Sequence, residues 1–282
     1  MCTMPVLKTF CRECYSRPDE VYEKLRQAGM DLVTVSDHDS IGAAEDLRGH
    51  PDFFVSEEVT CRMPSGNELH VGVYDLSEFQ HIKVQQLRDD LPRLVAYLNE
   101  QQLFYSVNHA FSALTGRRSV EDFMWLDGAF PGVEVRNGHL PERSNRLAER
   151  MAERNGKSKV GGSDAHALRS LGSVCTNVLG ARNKMEFIAG LRQGRGQVEG
   201  GSGNFGRLTR DVLQIVASLM EEKPAARLLS PLILAVPLVT LINYLTEDLF
   251  ARHWGSRWER WQGMERGGST RGMRAASGEA SA

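Results

Sequence analysis

The chain has 282 residues, of which 41% are apolar and 25% are charged, with a formal net charge of −2. A chain of this length and composition accommodates one catalytic domain with an appendage, and its near-neutral charge excludes a broad basic surface for bulk nucleic acid. The five cysteines are scattered and odd in number, and no charged and apolar signal segment opens the sequence. Both features favour a reducing, cytoplasmic compartment.

Helix and strand patterns alternate through the first part of the chain. Pro18 and the acidic residues after it open a helix that Gly29 ends, and a buried strand follows at 32–35. Further apolar and amphipathic runs predict strands at 53–55, 69–73, 104–107, 132–135 and 158–161, with helices at 84–101 and 141–154. Strands that alternate with helices are typical of parallel pairing, and such α/β folds collect their chemistry at the carboxyl ends of the strands.

The C-terminal part of the chain changes character. We predict a domain over residues 1–195, a glycine-rich linker over 196–206, a helical region over 207–262 and a disordered tail over 263–282. Within the helical region, residues 228–246 carry no charge and are long enough to span a membrane, although two prolines interrupt them and several arginines follow. A spanning helix, a membrane-inserted hairpin or interfacial anchor, and a packed helix pair therefore all stay open.

Side chains of the kinds that bind metals recur at or beside the ends of the apolar runs. They occur in the words VSDHDS, SEEVTC, ELHVGVY, SVNHAF and GGSDAH, and they are His38, Glu58, His70, His109, Asp164 and His166. Buried imidazoles and carboxylates are costly when unpaired, so this recurrence favours shared cations over separate hydrogen bonds in the core. The sequence therefore predicts a multinuclear metal site.

The same words, in this order and spacing, resemble the motifs of the PHP (polymerase and histidinol phosphatase) family of metal-dependent phosphoesterases. VSDHDSI resembles its T-D-H-D segment, SEEVT its G-x-E, ELHVGVY its E-x-H-x-x-G-Y, VNHAF its H-P, EVRNG its E-x-x-N and GGSDAH its G-S-D-x-H. The resemblance covers about residues 17 to 180. It implies a distorted (β/α)7 barrel of the TIM type with two or three divalent metal ions, zinc, manganese or iron, at its mouth.

The resemblance also implies which residue does what. Glu58 would bridge two metals and would act in catalysis together with Asp164 and His166. The implied ligands are His70 and His109 for the second metal, His38 and His166 for the third, and Asp164 for the first. Beyond these ligands, Asp37 would orient an imidazole and Asn137 would support the mouth, while His139 is a further candidate for a metal or substrate contact.

One expected motif is missing. PHP proteins normally begin with H-x-H followed shortly by Asp, and this chain has no histidine before His38. The given sequence could start late, a strand at 6–10 could be followed by Cys11, Glu13 or Cys14 as substitute ligands, or the barrel could have lost turnover. Without H-x-H, the first metal position loses more of its implied ligands than the other two positions. We therefore expect metal ions to bind at the second and third positions, and the first position to bind a metal weakly or not at all.

A site of this kind is suited to the hydrolysis of phosphate esters, because bridged cations activate a water and neutralise phosphoryl charge. The candidate cationic contacts to phosphate are Arg117, Arg118, Arg136, Arg143 and Arg169. We predict a phosphoesterase acting on a small phosphorylated metabolite or nucleotide, located in the cytoplasm and attached to the inner face of the membrane if residues 228–246 insert. The alternative is a metal-poor or N-terminally truncated barrel that serves as a non-catalytic binding or membrane-attached scaffold.

Overall fold

The structure, a computed structural model, describes residues 14–276. The predicted strand at 6–10, with Cys11 and Glu13, lies outside the described residues, and so does the end of the chain from 277 to 282. The first described helix begins at Pro18, as the sequence predicts, because a proline at the first helical position and acidic residues in the first turn both favour a helix start.

Strands and helices alternate along the described chain. The strands are β1 (Ser56–Arg62), β2 (Glu68–Tyr74), β3 (Phe104–Val107), β4 (Gly132–Asn137), β5 (Ser158–Gly162), β6 (Val174–Val178) and β7 (Gly196–Gly200). The α-helices are α1 (Pro18–Gln27), α2 (Gly42–Leu47), α3 (Glu78–Leu87), α4 (Leu91–Glu100), α5 (Asp122–Gly128), α6 (Glu142–Arg154), α7 (Lys184–Arg192), α8 (Phe205–Glu222) and α9 (Val236–Ala276). Short 3-10 helices lie at Ala113–Thr115 and Leu168–Ser170, and a longer one covers Pro224–Ala235.

The strands form two sheets, and they do not close into the predicted barrel. Strands β1 to β5 make one sheet in chain order, antiparallel from β1 to β3 and parallel from β3 to β5. Strands β6 and β7 pair with each other as a separate antiparallel sheet beside β5. The predicted strand at 32–35 contributes only an isolated bridge from Val33 to Phe53, so within residues 14–276 the sheet stays open at that side. The α/β class is confirmed, and the closed (β/α)7 barrel is not.

The position of β1 differs from the predicted strand at 53–55, and this difference affects the site. The strand begins at Ser56, so Glu57 and Glu58 lie within it and not beyond its end. Because successive side chains of a strand point to opposite faces, these two carboxylates separate. Glu57 accepts a hydrogen bond from His81 of α3 at 2.7 Å, while Glu58 faces the histidines.

The helical prediction over 84–101 also needs a correction, because two helices occupy this region. Asp90 accepts a hydrogen bond from the Arg93 backbone N–H at 3.2 Å and so caps α4, and Pro92 occupies its first turn. The leucines of α4 are buried against the large sheet.

The C-terminal region is in contact with the rest of the protein, and the predicted limits of the domains stay a prediction. The predicted linker starts as strand β7, and helix α9 continues through residues 263–276, where we predicted disorder. Trp258 of α9 is fully buried, with its ring centroid 5.5 Å from that of Phe111, and Trp254 and Trp261 flank Phe123. Residues 251–261 of α9 therefore pack into the main hydrophobic core.

The N-terminal half of α9 and the 3-10 helix before it expose their apolar side chains. The exposed residues include Leu228, Leu232, Leu234, Leu238, Val239, Ile242, Leu245 and Leu249. The helical stretch Ser230–Met264 is long and apolar enough to cross a membrane, which is weak evidence for membrane association.

Candidate metal centre

A first group of ligand-type side chains surrounds the carboxylate of Glu58. Its Oε2 lies 3.2 Å from His38 Nε2, and its Oε1 lies 3.1 Å from His109 Nε2 and 3.8 Å from His70 Nδ1. His70 Nδ1 and His109 Nε2 are themselves 3.1 Å apart. His38, Glu58 and His70 offer ligand atoms that all lie within 4.8 Å of one another, which is the spacing that a shared cation requires.

Backbone contacts hold these side chains in place. The segment at His38 pairs with β1, where the Glu58 N–H donates to Asp37 O at 3.1 Å and the Asp39 N–H donates to Glu58 O at 2.9 Å. Asn108 donates from Nδ2 to Glu58 Oε1 at 2.8 Å, which fixes the orientation of the carboxylate. Asp39 and His109 have φ angles of +54° and +32°. Such backbone conformations are costly for residues other than glycine and are concentrated at functional sites.

The charges of this group follow from its burial. Burial alone would raise the pKa of Glu58, but the hydrogen bond from His109 and the nearby imidazoles outweigh it and lower the pKa. Burial and the neighbouring His109 lower the pKa of His70 to about 3, which keeps that imidazole neutral and able to bind a cation. His109 Nδ1 is buried without a hydrogen-bond partner in the described structure. Burial would lower the pKa of His109, but the hydrogen bond to Glu58 and its charge outweigh burial and raise it to about 9, so this imidazole must release a proton to bind a cation. Imidazoles and a carboxylate are ligands that suit zinc, manganese or iron.

A second group comprises His139, Asp164 and His166, whose ligand atoms also lie within 4.8 Å of one another. Asp164 has a φ of +48°, and Asn137 donates from Nδ2 to its Oδ2 at 3.1 Å. The resemblance would place His166 with His38, whereas the geometry places it with His139 and Asp164. The role of each residue as a ligand stays a prediction.

Glu134 of β4 connects the two groups. Its Oε2 accepts a hydrogen bond from the His109 backbone N–H at 2.8 Å, and Asn137 donates to both of its oxygens. Burial, together with the charges of Asp164 and Glu58, raises the pKa of Glu134 to about 7, although His109 opposes the shift. Glu134 is the first residue of the segment EVRNG, and the pattern alone predicted no role for it.

An open cavity of about 1270 Å³ reaches both groups. Its lining includes His38, Glu58, Asn108, Glu134, Asp164 and His166. Cys14, the one described member of the proposed substitute ligands, also lines this cavity, and Asp37 stands at its exposed edge. The role of Asp37 in orienting an imidazole stays a prediction.

The predicted phosphate-binding arginines do not form one cluster. Arg118 is buried and donates to Glu68 O at 2.8 Å and to Thr115 Oγ1 at 2.5 Å, so its guanidinium serves the packing of the domain. Arg143 donates to Asp248 of α9 at 2.9 Å, and Arg136 donates to Gly200 O at 3.2 Å. Arg117 and Arg169 are exposed. The closeness of an arginine to a histidine in sequence could not show which guanidinium would be buried and hydrogen-bonded within the protein.

One family model matches part of the chain. A family model described as PHP-associated matches residues 142–195, which include Asp164 and His166. This match confirms the resemblance to the PHP family that the motifs predict. No curated protein matches the chain.

Three solved structures are similar to this one at low sequence identity. PsfC from Pseudomonas syringae is 15% identical with a TM-score of 0.53, over 72% of this chain and 88% of PsfC. A proposed metal-dependent phosphoesterase from Bifidobacterium adolescentis is 16% identical with a TM-score of 0.41, over 55% of this chain and 84% of that one. The lesion-specific endonuclease PfuEndoQ from Pyrococcus furiosus is 14% identical with a TM-score of 0.46, over 65% of this chain and 54% of the endonuclease. The likeness to PsfC supports the fold alone.

Proposed function

We propose that this protein is a metal-dependent hydrolase of phosphate esters. The observation that carries the proposal is the convergence of His38, His70 and His109, from three separate segments, on the buried carboxylate of Glu58 at the cavity. A core that needed only hydrogen bonds would not gather three imidazoles around one carboxylate, because each buried polar group adds a desolvation cost. The PHP-associated match over residues 142–195 supports the same chemistry.

Different residues of the site would have different roles in the reaction. Bound divalent cations lower the pKa of a water and neutralise charge on the phosphoryl oxygens. Glu58 and the imidazoles around it would hold these cations, and Asn108 fixes the carboxylate by its hydrogen bond. Glu134 supplies a further carboxyl group at the cavity wall, between the two groups of ligand-type side chains.

We further propose that the substrate is a small phosphorylated metabolite or a nucleotide. The cavity at the site is open and large enough for such a molecule. Arg117 and Arg169 stay the candidate contacts to a phosphate group because both are exposed, whereas the protein itself engages Arg118 and Arg143.

The test is the hydrolysis of p-nitrophenyl phosphate by the full-length protein in manganese or zinc, with the bound metal measured by mass spectrometry. His70→Ala should lower the rate by a hundredfold or more, because it removes an imidazole from Glu58, on the order of effects seen for metal-site groups. His81→Gln is the matched control, since His81 pairs with Glu57 on the opposite face of β1. Equal rates for wild type and His70→Ala would refute the proposal, and a metal-poor protein without turnover would favour the scaffold alternative.

A further inference from the structure

We propose that Asp211, on helix α8, positions His139 as a protein ligand of a metal position that Asp164 and His166 complete. This inference rests on the proposed function in that it requires the site to bind divalent cations. It assigns a part of the site to helix α8, which lies outside the catalytic domain predicted over residues 1–195.

The contact between Asp211 and His139 is buried and directional. His139 Nε2 lies 2.8 Å from Asp211 Oδ2, with the carboxylate 1% exposed and the imidazole 13% exposed. Ser170 Oγ donates to the same Oδ2, and Oδ1 has no hydrogen-bond partner among the described residues. A neutral imidazole that donates its Nε2–H to a carboxylate carries its lone pair on Nδ1. This arrangement, a carboxylate behind an imidazole, is the one that orients metal-binding histidines and increases their basicity.

The segment that carries His139 packs closely against two other segments, at Ser163 and at Gly203. At Gly138, an added Cβ would lie 2.6 Å from Ser163 O, so the segment lies directly against the one that carries Asp164. At Gly203, an added Cβ would lie 2.2 Å from the carbonyl carbon of His139. The rings of His139 and His166 are stacked with centroids 5.7 Å apart. The backbone therefore holds His139 beside the other two members of the group.

The chemistry of the position explains why a further imidazole is needed. Among the described residues, His139, Asp164 and His166 form this group, so without His139 the position would have only two protein ligands. Catalytic zinc sites have three protein ligands and an open position for water. His139, oriented by Asp211, raises the number of protein ligands at this position from two to three.

The test is a zinc titration of the full-length protein against a chromophoric chelator, with total zinc measured by mass spectrometry. Wild type should bind two tight equivalents, and His139→Gln should lose one of them, because glutamine keeps a hydrogen-bond donor for Asp211 but has no imidazole. Asp211→Asn should lower the affinity for the same zinc equivalent by about 10- to 100-fold, which is the usual effect of removing a group that orients a metal ligand. His81→Gln is the control, because His81 Nδ1 lies 2.7 Å from Glu57 Oε2 in a carboxylate–imidazole pair outside both groups. This variant should still bind both zinc equivalents.

Two results would overturn the inference. One is two unchanged equivalents in His139→Gln, and the other is an unchanged affinity in a folded Asp211→Asn. If Asp211→Asn does not fold, nitrogen chemical shifts of the metal-free wild type decide the matter, since they should report a proton on Nε2 of His139 and a bare Nδ1. A proton on Nδ1 would contradict the proposed orientation. The zinc titration does not depend on hydrolysis. A protein that binds two zinc equivalents but does not hydrolyse phosphate esters would therefore contradict the proposed function and leave this inference intact.

Discussion

Glu58 and Glu134 show how neighbouring carboxylates acquire different charges from their surroundings. Nearby imidazoles hold the pKa of Glu58 down against its burial, whereas burial raises the pKa of Glu134. The motif words predicted the first residue because its sequence context resembles a family pattern. They gave no role to Glu134, since a shifted pKa depends on residues that are distant in sequence.

The raised pKa of Glu134 predicts how the stability of the metal-free protein depends on pH. Its pKa rises from 4.5 to about 7 on folding, so between these values the unfolded chain releases a proton that the folded protein keeps. The Glu134 contribution therefore favours folding below about pH 4.5 and is lost as the pH rises to about 7, with a total of about 3 kcal/mol. Glu134→Gln should remove this part of the pH dependence.

The measurement is urea unfolding between pH 5 and 8 with a chelator present, with wild type compared directly to the variant. The comparison cancels much of the contribution from His70 and His109, which also have shifted pKa values. An identical pH dependence in the two proteins would show that Glu134 ionises normally in the folded state.

Arg118 and Arg117 give a second test at the residue scale. Arg118→Ala should lower the free energy of unfolding by about 2–3 kcal/mol, because it leaves the carbonyl of Glu68 and the hydroxyl of Thr115 without their partner. Arg117→Ala, at the exposed neighbouring position, should change it by less than about 0.5 kcal/mol. Chemical denaturation measures both, and equal effects would contradict the structural role of Arg118.

At the scale of elements, the sequence predicted the helices at both ends of the chain and the apolar centres of β2 to β5, but it missed α2, α5 and α7 and the strands β6 and β7. It also misjudged the limits of several elements. The strand predicted at 53–55 is in fact the approach to β1, since β1 is defined by its antiparallel pairing with β2 and that pairing leaves no local signal. Likewise, β7 lies in a stretch whose glycines predict a loop. Gly161, whose added Cβ would collide with Val198, shows why small residues are needed where the two sheets meet.

Gly203 connects this stretch to the site and carries its own prediction. Gly203→Ala should force His139 to move, because an added Cβ meets the His139 backbone at 2.2 Å and a backbone cannot easily give way. We expect a loss of stability of about 1–3 kcal/mol and weaker binding of one zinc equivalent.

Gly201→Ala is the matched control, since an added Cβ at Gly201 meets nothing within 4 Å. Thermal unfolding and the zinc titration would measure both variants. Zinc binding by Gly203→Ala that equals that of wild type would mean that the backbone at this position does not hold His139 in place.

At the scale of the whole molecule, the C-terminal region is both part of the core and a separate surface. Its second half packs through Trp258, and Asp248 pairs with Arg143 of α6 at 2.9 Å. Hydropathy along the chain could not predict this docking, because it identifies apolar segments but not the surfaces they meet. The first half exposes a face of leucines, and such patches are typical of contact with a membrane or another protein. Attachment through residues 228–246 stays a prediction.

The docking of α9 predicts a large effect for its buried tryptophan. Trp258→Ala should lower the free energy of unfolding by about 3–5 kcal/mol, because it removes a fully buried ring from the main core. Leu238→Ala, on the exposed half of the same helix, should cost less than about 0.5 kcal/mol in solution. Denaturant unfolding compares the two, and a mild effect of Trp258→Ala would show that α9 does not dock on the domain.

The most direct test of the central claim is anomalous diffraction at the zinc edge from crystals of the full-length protein grown with zinc. We predict one anomalous peak within about 2.0–2.2 Å of ligand atoms of Glu58 and its histidines, and another at His139, Asp164 and His166. Zinc found only at surface positions, with no peak within coordination distance of Glu58, would contradict the account.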